Sequence, residues 1–141
     1  PLLDEGWGHI SLSHCKDVVL IAWSSDIIGI DIERKDRNFK YEKIFKRILS
    51  PSELKEYSNL RGKERKDKIL ELWVKKEAIY KYESLFKYKK YEGFKSKILK
   101  ENLFTKSKLN EAFSKIFNYQ SWIISIVSKS NHLNNDLIIC Y

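Results

Sequence analysis

The chain has 141 residues, enough for one domain with a real core, and 43% hydrophobic and 13% aromatic content excludes a disordered polymer despite 33% charged residues. A formal net charge of +8 points to an acidic partner: nucleic acid, an anionic membrane, a polyphosphate ligand or an acidic protein. Cys15 and Cys140 lie at opposite ends and no apolar stretch nears the ~20 residues of a membrane span. A disulfide framework, a cysteine zinc site and a spanning helix are therefore excluded, and a cytoplasmic location is expected.

Taken in order, Gly6 to Ser13 alternates apolar and polar residues and reads as a strand. Asp17 to Ser24 is a continuous apolar run, hence a buried strand, and the tight Ser25-Asp26 connection makes Ile27 to Glu33 the next antiparallel strand. Together they predict a three-stranded meander. Along the third strand Ile28, Ile30 and Ile32 point one way, while Gly29, Asp31 and Glu33 point the other. The two carboxylates then stand about 6.5–7 Å apart on one face, a spacing that lets both converge on one hard cation. An amphipathic strand with a wet face would show the same pattern.

Phe39 to Ile48 reads as a short basic helix. Ser50-Pro51-Ser52-Glu53 is a capping box with Pro at the first helical position, opening a helix to about Tyr57. A long helix is expected from about Lys63 to Phe86, with no Gly or Pro inside. On it Leu70, Trp73, Glu77 and Lys81 share one face. Lys87 to Lys95 interleaves basic and aromatic residues, as a solvated loop or a nucleic-acid surface would. Ser121 to Ser128 and Asp136 to Tyr141 are two further strands, with a turn at Ser130 to Asn135. No internal repeat or linker divides residues 1–141, which are read as a single domain.

Three features stand in a fixed order: Ile10-Ser11-Leu12-Ser13-His14, Gly29-Ile30-Asp31-Ile32-Glu33, and Trp73 to Lys81 (W-V-K-K-E-A-I-Y-K). With Leu49-Ser50-Pro51-Ser52-Glu53 between the last two, they resemble the phosphopantetheinyl transferases. The larger Sfp-type class is the closer fit, where the pattern runs S-H, G-[IV]-D-[IV]-E, F-S-x-x-E and W-x-x-K-E-[AS]-x-x-K. The match covers roughly residues 1–85. The chain departs from the family's pattern at Tyr82 to Leu85, where a Gly-containing turn is usual.

The resemblance implies an α+β fold, an antiparallel sheet packed against a long helix, forming one half of a pseudo-twofold structure that binds coenzyme A in the cleft between halves. The chain begins at Pro1 and contains no methionine. Pro1 resembles the proline of a G-K-P element between the halves, so the chain is expected to be the C-terminal, metal-binding half, with the N-terminal half missing. The implied reaction is that of a holo-[acyl-carrier-protein] synthase type enzyme. Phosphopantetheine passes from coenzyme A to a carrier-protein serine with Mg²⁺, releasing adenosine 3′,5′-bisphosphate.

By the same resemblance Asp31, Glu33 and Glu77 are the metal ligands, and Glu77 and Lys81 are catalytic, as base and as pyrophosphate ligand. Ser13, His14, Lys76 and Lys81 contact coenzyme A phosphates. An acidic acyl or peptidyl carrier protein is the expected partner, docking near Ser84 to Ala112, with no nucleic acid and no membrane. Two other readings compete: a non-catalytic carrier-binding module, and a basic nucleic-acid-binding domain.

Overall fold

The computed structural model describes residues 6–37, 48–87, 112–129 and 138–140. In chain order these form β1 (His9–Cys15), β2 (Val18–Ser24), β3 (Ile28–Arg34), α1 (Pro51–Tyr57), α2 (Gly62–Lys87), β4 (Phe113–Tyr119), β5 (Trp122–Ser128) and β6 (Ile138–Cys140). The strands make two antiparallel sheets, β1-β2-β6 and β3-β5-β4. The expected α+β architecture, antiparallel strands against one long helix, is present. The expected helix at Phe39 to Ile48 (apart from Ile48), the basic-aromatic stretch beyond Lys87, most of Ser84 to Ala112 and the turn at Ser130 to Asn135 lie outside the described residues.

The meander is not what forms. β1 and β2 do make a hairpin, turning at Lys16-Asp17 with Lys16 at φ 34°. β3, however, leaves that sheet and pairs with β5, and the far side of β2 is taken by β6. Burial explains the switch. β3 is buried at every position from Ile28 to Glu33, so it needs cover on both faces, which a place beside β2 in one sheet would not give. Nor is β2 buried throughout. Val18 and Leu20 point inward, while Val19, Ile21 and Trp23 are exposed, so an unbroken apolar run conceals an alternating strand.

A main core fills the space between the sheets: Val18 and Leu20 from β2 meet Ile28, Ile30 and Ile32 from β3 and Ile124 and Ile126 from β5. The opposite face of β3-β5-β4 carries α2. There Val127 packs with Ala78, Ile79 and Tyr82, and Ile123 packs with Leu70 and Val74. One hairpin was not anticipated. β4 pairs with β5 across Gln120-Ser121, with Gln120 at φ 48°. Neither turn residue is the Gly, Asn or Asp that usually marks a two-residue hairpin.

The edge of β3 beside β1 is closed by side chains instead of a backbone ladder. Ile30 N–H donates to Ser11 Oγ at 3.1 Å and Ile32 N–H donates to Ser13 Oγ at 3.2 Å. Two buried serines thus satisfy an edge that would otherwise be left unpaired.

The capping box forms as expected: Ser50 Oγ accepts from Glu53 N–H, and Glu53 Oε2 accepts from Ser50 N–H at 2.7 Å. α2 has 26 residues, about 39 Å long, and crosses β3 and β5. It passes close over Gly29, where an added Cβ would lie 2.2 Å from the Ala78 carbonyl oxygen.

Candidate active site

That close crossing sets the site. Gly29, Asp31 and Glu33 leave β3 on the side that α2 covers, and Glu77 and Ala78 sit at the crossing point with Lys81 one turn further on. Lys81 Nζ donates to Asp31 Oδ1 at 2.8 Å. The same oxygen accepts from Ser13 Oγ at 2.7 Å. Asp31 is therefore buried and held from two sides, by a strand and by a helix.

Glu33 is also buried. Its Oε1 accepts from Arg34 N–H at 3.0 Å, and its Oε2 is in a close ion pair with Arg37 Nη1. Glu77 is the third buried carboxylate, 7% exposed. Buried carboxylates need positive charge or hydrogen-bond donors beside them, because burial without these is costly for the charge. Lys81 and Arg37 supply the positive charge for Asp31 and Glu33.

Among the described residues no three acidic, histidine or cysteine side chains stand close enough together to share one ion. The chemistry of the donor set nonetheless suits Mg²⁺: all three groups are hard carboxylate oxygens, two from one strand face and one from the helix across it. Residues Asp31, Glu33 and Glu77 are the ones that would hold it.

The remaining expected site residues are placed differently. Ser13 does face Asp31, but its hydroxyl donates to that carboxylate and accepts from Ile32 N–H, so its one proton is committed inside the fold. His14 alternates to the other face of β1 and is exposed, opposite Val19. Lys76, expected at a phosphate, is 3% exposed. Its Nζ donates to Glu53 Oε2 at 2.6 Å and to the Ile48 carbonyl, on the side of α2 that meets α1. The capping glutamate of α1 is thus also the counter-charge of a buried lysine. Trp73 packs with Ile48 and Ile69 on one side and with Leu70, Val74 and Ile123 on the other.

Sequence reasoning missed Arg37 and Ser125. Arg37 lies four residues beyond Glu33, so local spacing carried a signal for the pair. Ser125 interrupts the aliphatic run Ile123 to Val127, and its register partner is Asp31. A groove of about 580 Å³ opens beyond Glu33, lined by Lys35, Lys63 and Lys66 and by Asp36, Asp67 and Glu71. None of the five groups Asp31, Glu33, Glu77, Lys81 or Ser125 lines it, and its charges are balanced in sign.

Residues 27–132, about three quarters of the chain, match the 4'-phosphopantetheinyl transferase superfamily, and the chain belongs to that superfamily. No curated protein matches the chain. Membership makes it a transferase of the phosphopantetheine group; the resemblance drawn from its motifs is correct at that level. No helix among the described residues is long and apolar enough to cross a membrane.

Proposed function

Starting from that membership, we propose that the chain is the metal-binding half of an Sfp-type enzyme that moves 4'-phosphopantetheine from coenzyme A to a serine of an acidic carrier protein. The observation that supports this best is the Lys81–Asp31 contact between α2 and β3, elements that also carry the buried carboxylates Glu77 and Glu33. A structural cluster would need only the ion pairs. A site for pyrophosphate chemistry needs carboxylates that can take a divalent ion and a lysine that can leave them.

In this reading the serine hydroxyl attacks the phosphorus that carries the pantetheine arm. A new P–O bond forms, the bridging P–O bond breaks, and adenosine 3′,5′-bisphosphate leaves. Glu77 takes the serine proton, directly or through a water. Lys81 turns from Asp31 to an oxygen of the pyrophosphate and stabilises the charge that develops there. Mg²⁺, when bound, supplies the neutralisation that lets a hydroxyl approach a dianionic pyrophosphate. His14, exposed on the outer face of β1, is the residue assigned to a coenzyme A phosphate. Ser13 and Lys76 serve the fold: the first holds Asp31, the second ties α2 to α1.

The outer face of β1 and β2 supports the two-halves reading. Leu12, Val19, Ile21 and Trp23 form a contiguous exposed apolar surface, next to His14. Such a face asks for a covering element, and the other half of a pseudo-twofold structure would provide one. The +8 charge would steer an acidic carrier, and a reducing cytoplasm suits the buried thiol of Cys15.

The test is mass spectrometry of an apo carrier protein incubated with coenzyme A, Mg²⁺ and the longest available form of the protein. A phosphopantetheine mass gain is expected, lost with EDTA and reduced by about 10²–10⁴-fold in Glu77→Gln. Thermal unfolding of Glu77→Gln should show a folded chain. No gain on several carriers would leave a carrier-binding module as the better reading.

A further inference from the structure

Among the described residues, Ser125 is the one fully buried hydroxyl that the reaction above does not use. It lies on β5, is completely inaccessible, and its Oγ has no hydrogen-bond partner among the described residues. Its neighbours on the same face, Ile123 and Val127, pack against α2 as aliphatics. An alanine or valine would fill the position without stranding a hydroxyl, so the serine carries a desolvation cost with no visible return. Register supplies the missing reason. Ser125 is directly opposite Asp31 in the antiparallel β3–β5 pair, so both side chains leave the same face as near neighbours.

Asp31 Oδ1 accepts two bonds, one from Ser13 on β1 and one from Lys81 on α2. The Ser13 bond is anchored, because that hydroxyl also accepts from Ile32 N–H. The Lys81 bond is the one that must break if the ammonium is to reach a substrate phosphate. At that moment the buried carboxylate would lose one of its two hydrogen-bond donors. Ser125 is the residue directly across the ladder from Asp31, and a change of its χ1 rotamer would swing its Oγ, which has no partner where it stands, toward the carboxylate.

We propose that Ser125 is a positioning residue: its hydroxyl takes over Asp31 when Lys81 turns to the pyrophosphate, keeping the carboxylate in place. The Lys81 movement rests on the function proposed above. The hydrogen-bond takeover itself can be tested without substrate or metal.

The experiment is a thermal-unfolding cycle on the full chain with Ser125→Ala, Lys81→Met and the double variant, with Lys81→Ala as a second background should Lys81→Met fold poorly. With Lys81 present, Ser125→Ala removes only a stranded hydroxyl, and the midpoint should rise by about 3 °C. With Lys81 removed, Ser125 is the replacement donor, and the same substitution should lower the midpoint by a similar amount. Ser125→Cys keeps the volume but donates poorly, so it should follow Ser125→Ala in the Lys81-less background. An equal effect of Ser125→Ala in both backgrounds overturns the proposal, whatever the transfer assay shows. If the cycle couples while no carrier is modified, Ser125 still guards Asp31 and only the assigned reaction fails.

Discussion

Gly29 and Ala78 mark a point where helix α2 runs close against strand β3: a Cβ on Gly29 would stand 2.2 Å from the Ala78 carbonyl oxygen and 2.5 Å from Tyr82 N. Both atoms belong to the helix backbone, so no side chain can swing aside to make room. The glycine of the G-I-D-I-E motif is there for absence of a side chain, not for a special backbone angle. It lets the helix sit low enough for Lys81 to reach Asp31 at 2.8 Å. Glu77 precedes Ala78 directly, so the depth of the helix also fixes the third carboxylate.

Gly29→Ala should therefore lift α2 off the sheet. The expected cost is about 3 kcal/mol or more, at the upper end of overpacking because backbone has to move. Urea unfolding measures it. Transfer activity of whatever fraction folds should fall as well, since the Lys81–Asp31 and Glu77 geometry shares the same crossing. An unchanged unfolding midpoint would mean that the helix is not seated on β3 in this way.

The reach of sequence reasoning can be traced along β3 and its neighbours. Period-two alternation put Asp31 and Glu33 on one face and Ile28, Ile30 and Ile32 on the other, and that division is what the structure has. The start of α1 was legible because a capping box is a local interaction that four residues specify alone. Sheet membership was not legible. An Ile-rich strand pairs equally well with any apolar strand, and only the total burial of β3 decides that it leaves β2 for β5. β4 escaped notice because its face is half polar and its turn uses Gln120 and Ser121, residues with little turn signature. Ser13 read as a phosphate ligand because the motif pairs it with His14. In the fold adjacent strand residues point to opposite sides, so one faces Asp31 and the other faces out.

The pairing of Glu53 with Lys76 leads to a different expectation. Both are buried, the ammonium donates at 2.6 Å, and the carboxylate simultaneously closes the cap of α1. Removing one partner strands a charge; removing both does not. Glu53→Ala should cost about 3–5 kcal/mol, from the uncompensated Lys76 cation and the lost cap together. Lys76→Met should cost less, because Glu53 keeps its bond to Ser50 N–H. The double variant Glu53→Gln with Lys76→Met should recover much of the loss, as a glutamine can still cap while the methionine fills the lysine's space. Denaturant titration of the native chain, Glu53→Gln, Lys76→Met and their double variant checks this, with Glu53→Ala measured beside them. Purely additive losses would show that the two side chains do not act as a pair.

Burial pushes the Cys15 thiol above its usual value of 9.0, with Asp31 adding to the rise and Arg34 and Arg37 opposing it. The thiol points into the core between the sheets, among Val18, Leu20 and Ile32. A raised thiol pKa means that above pH 9 the folded chain holds a proton that the unfolded chain has released. The contribution is thus complete below the unfolded value and is lost as pH climbs through the folded one. Unfolding free energies measured from pH 7 to 10.5 should fall more steeply for the native chain than for Cys15→Ala, the two curves separating only above about pH 9. Comparison of the two chains cancels Lys75, whose pKa burial pushes the other way. Alkylation should agree: iodoacetamide should label Cys15 at least about tenfold more slowly in the folded chain than in urea, read on the peptide that contains it. Parallel pH curves for the two chains, or labelling at the unfolded rate, would place the thiol at the surface instead of between the sheets.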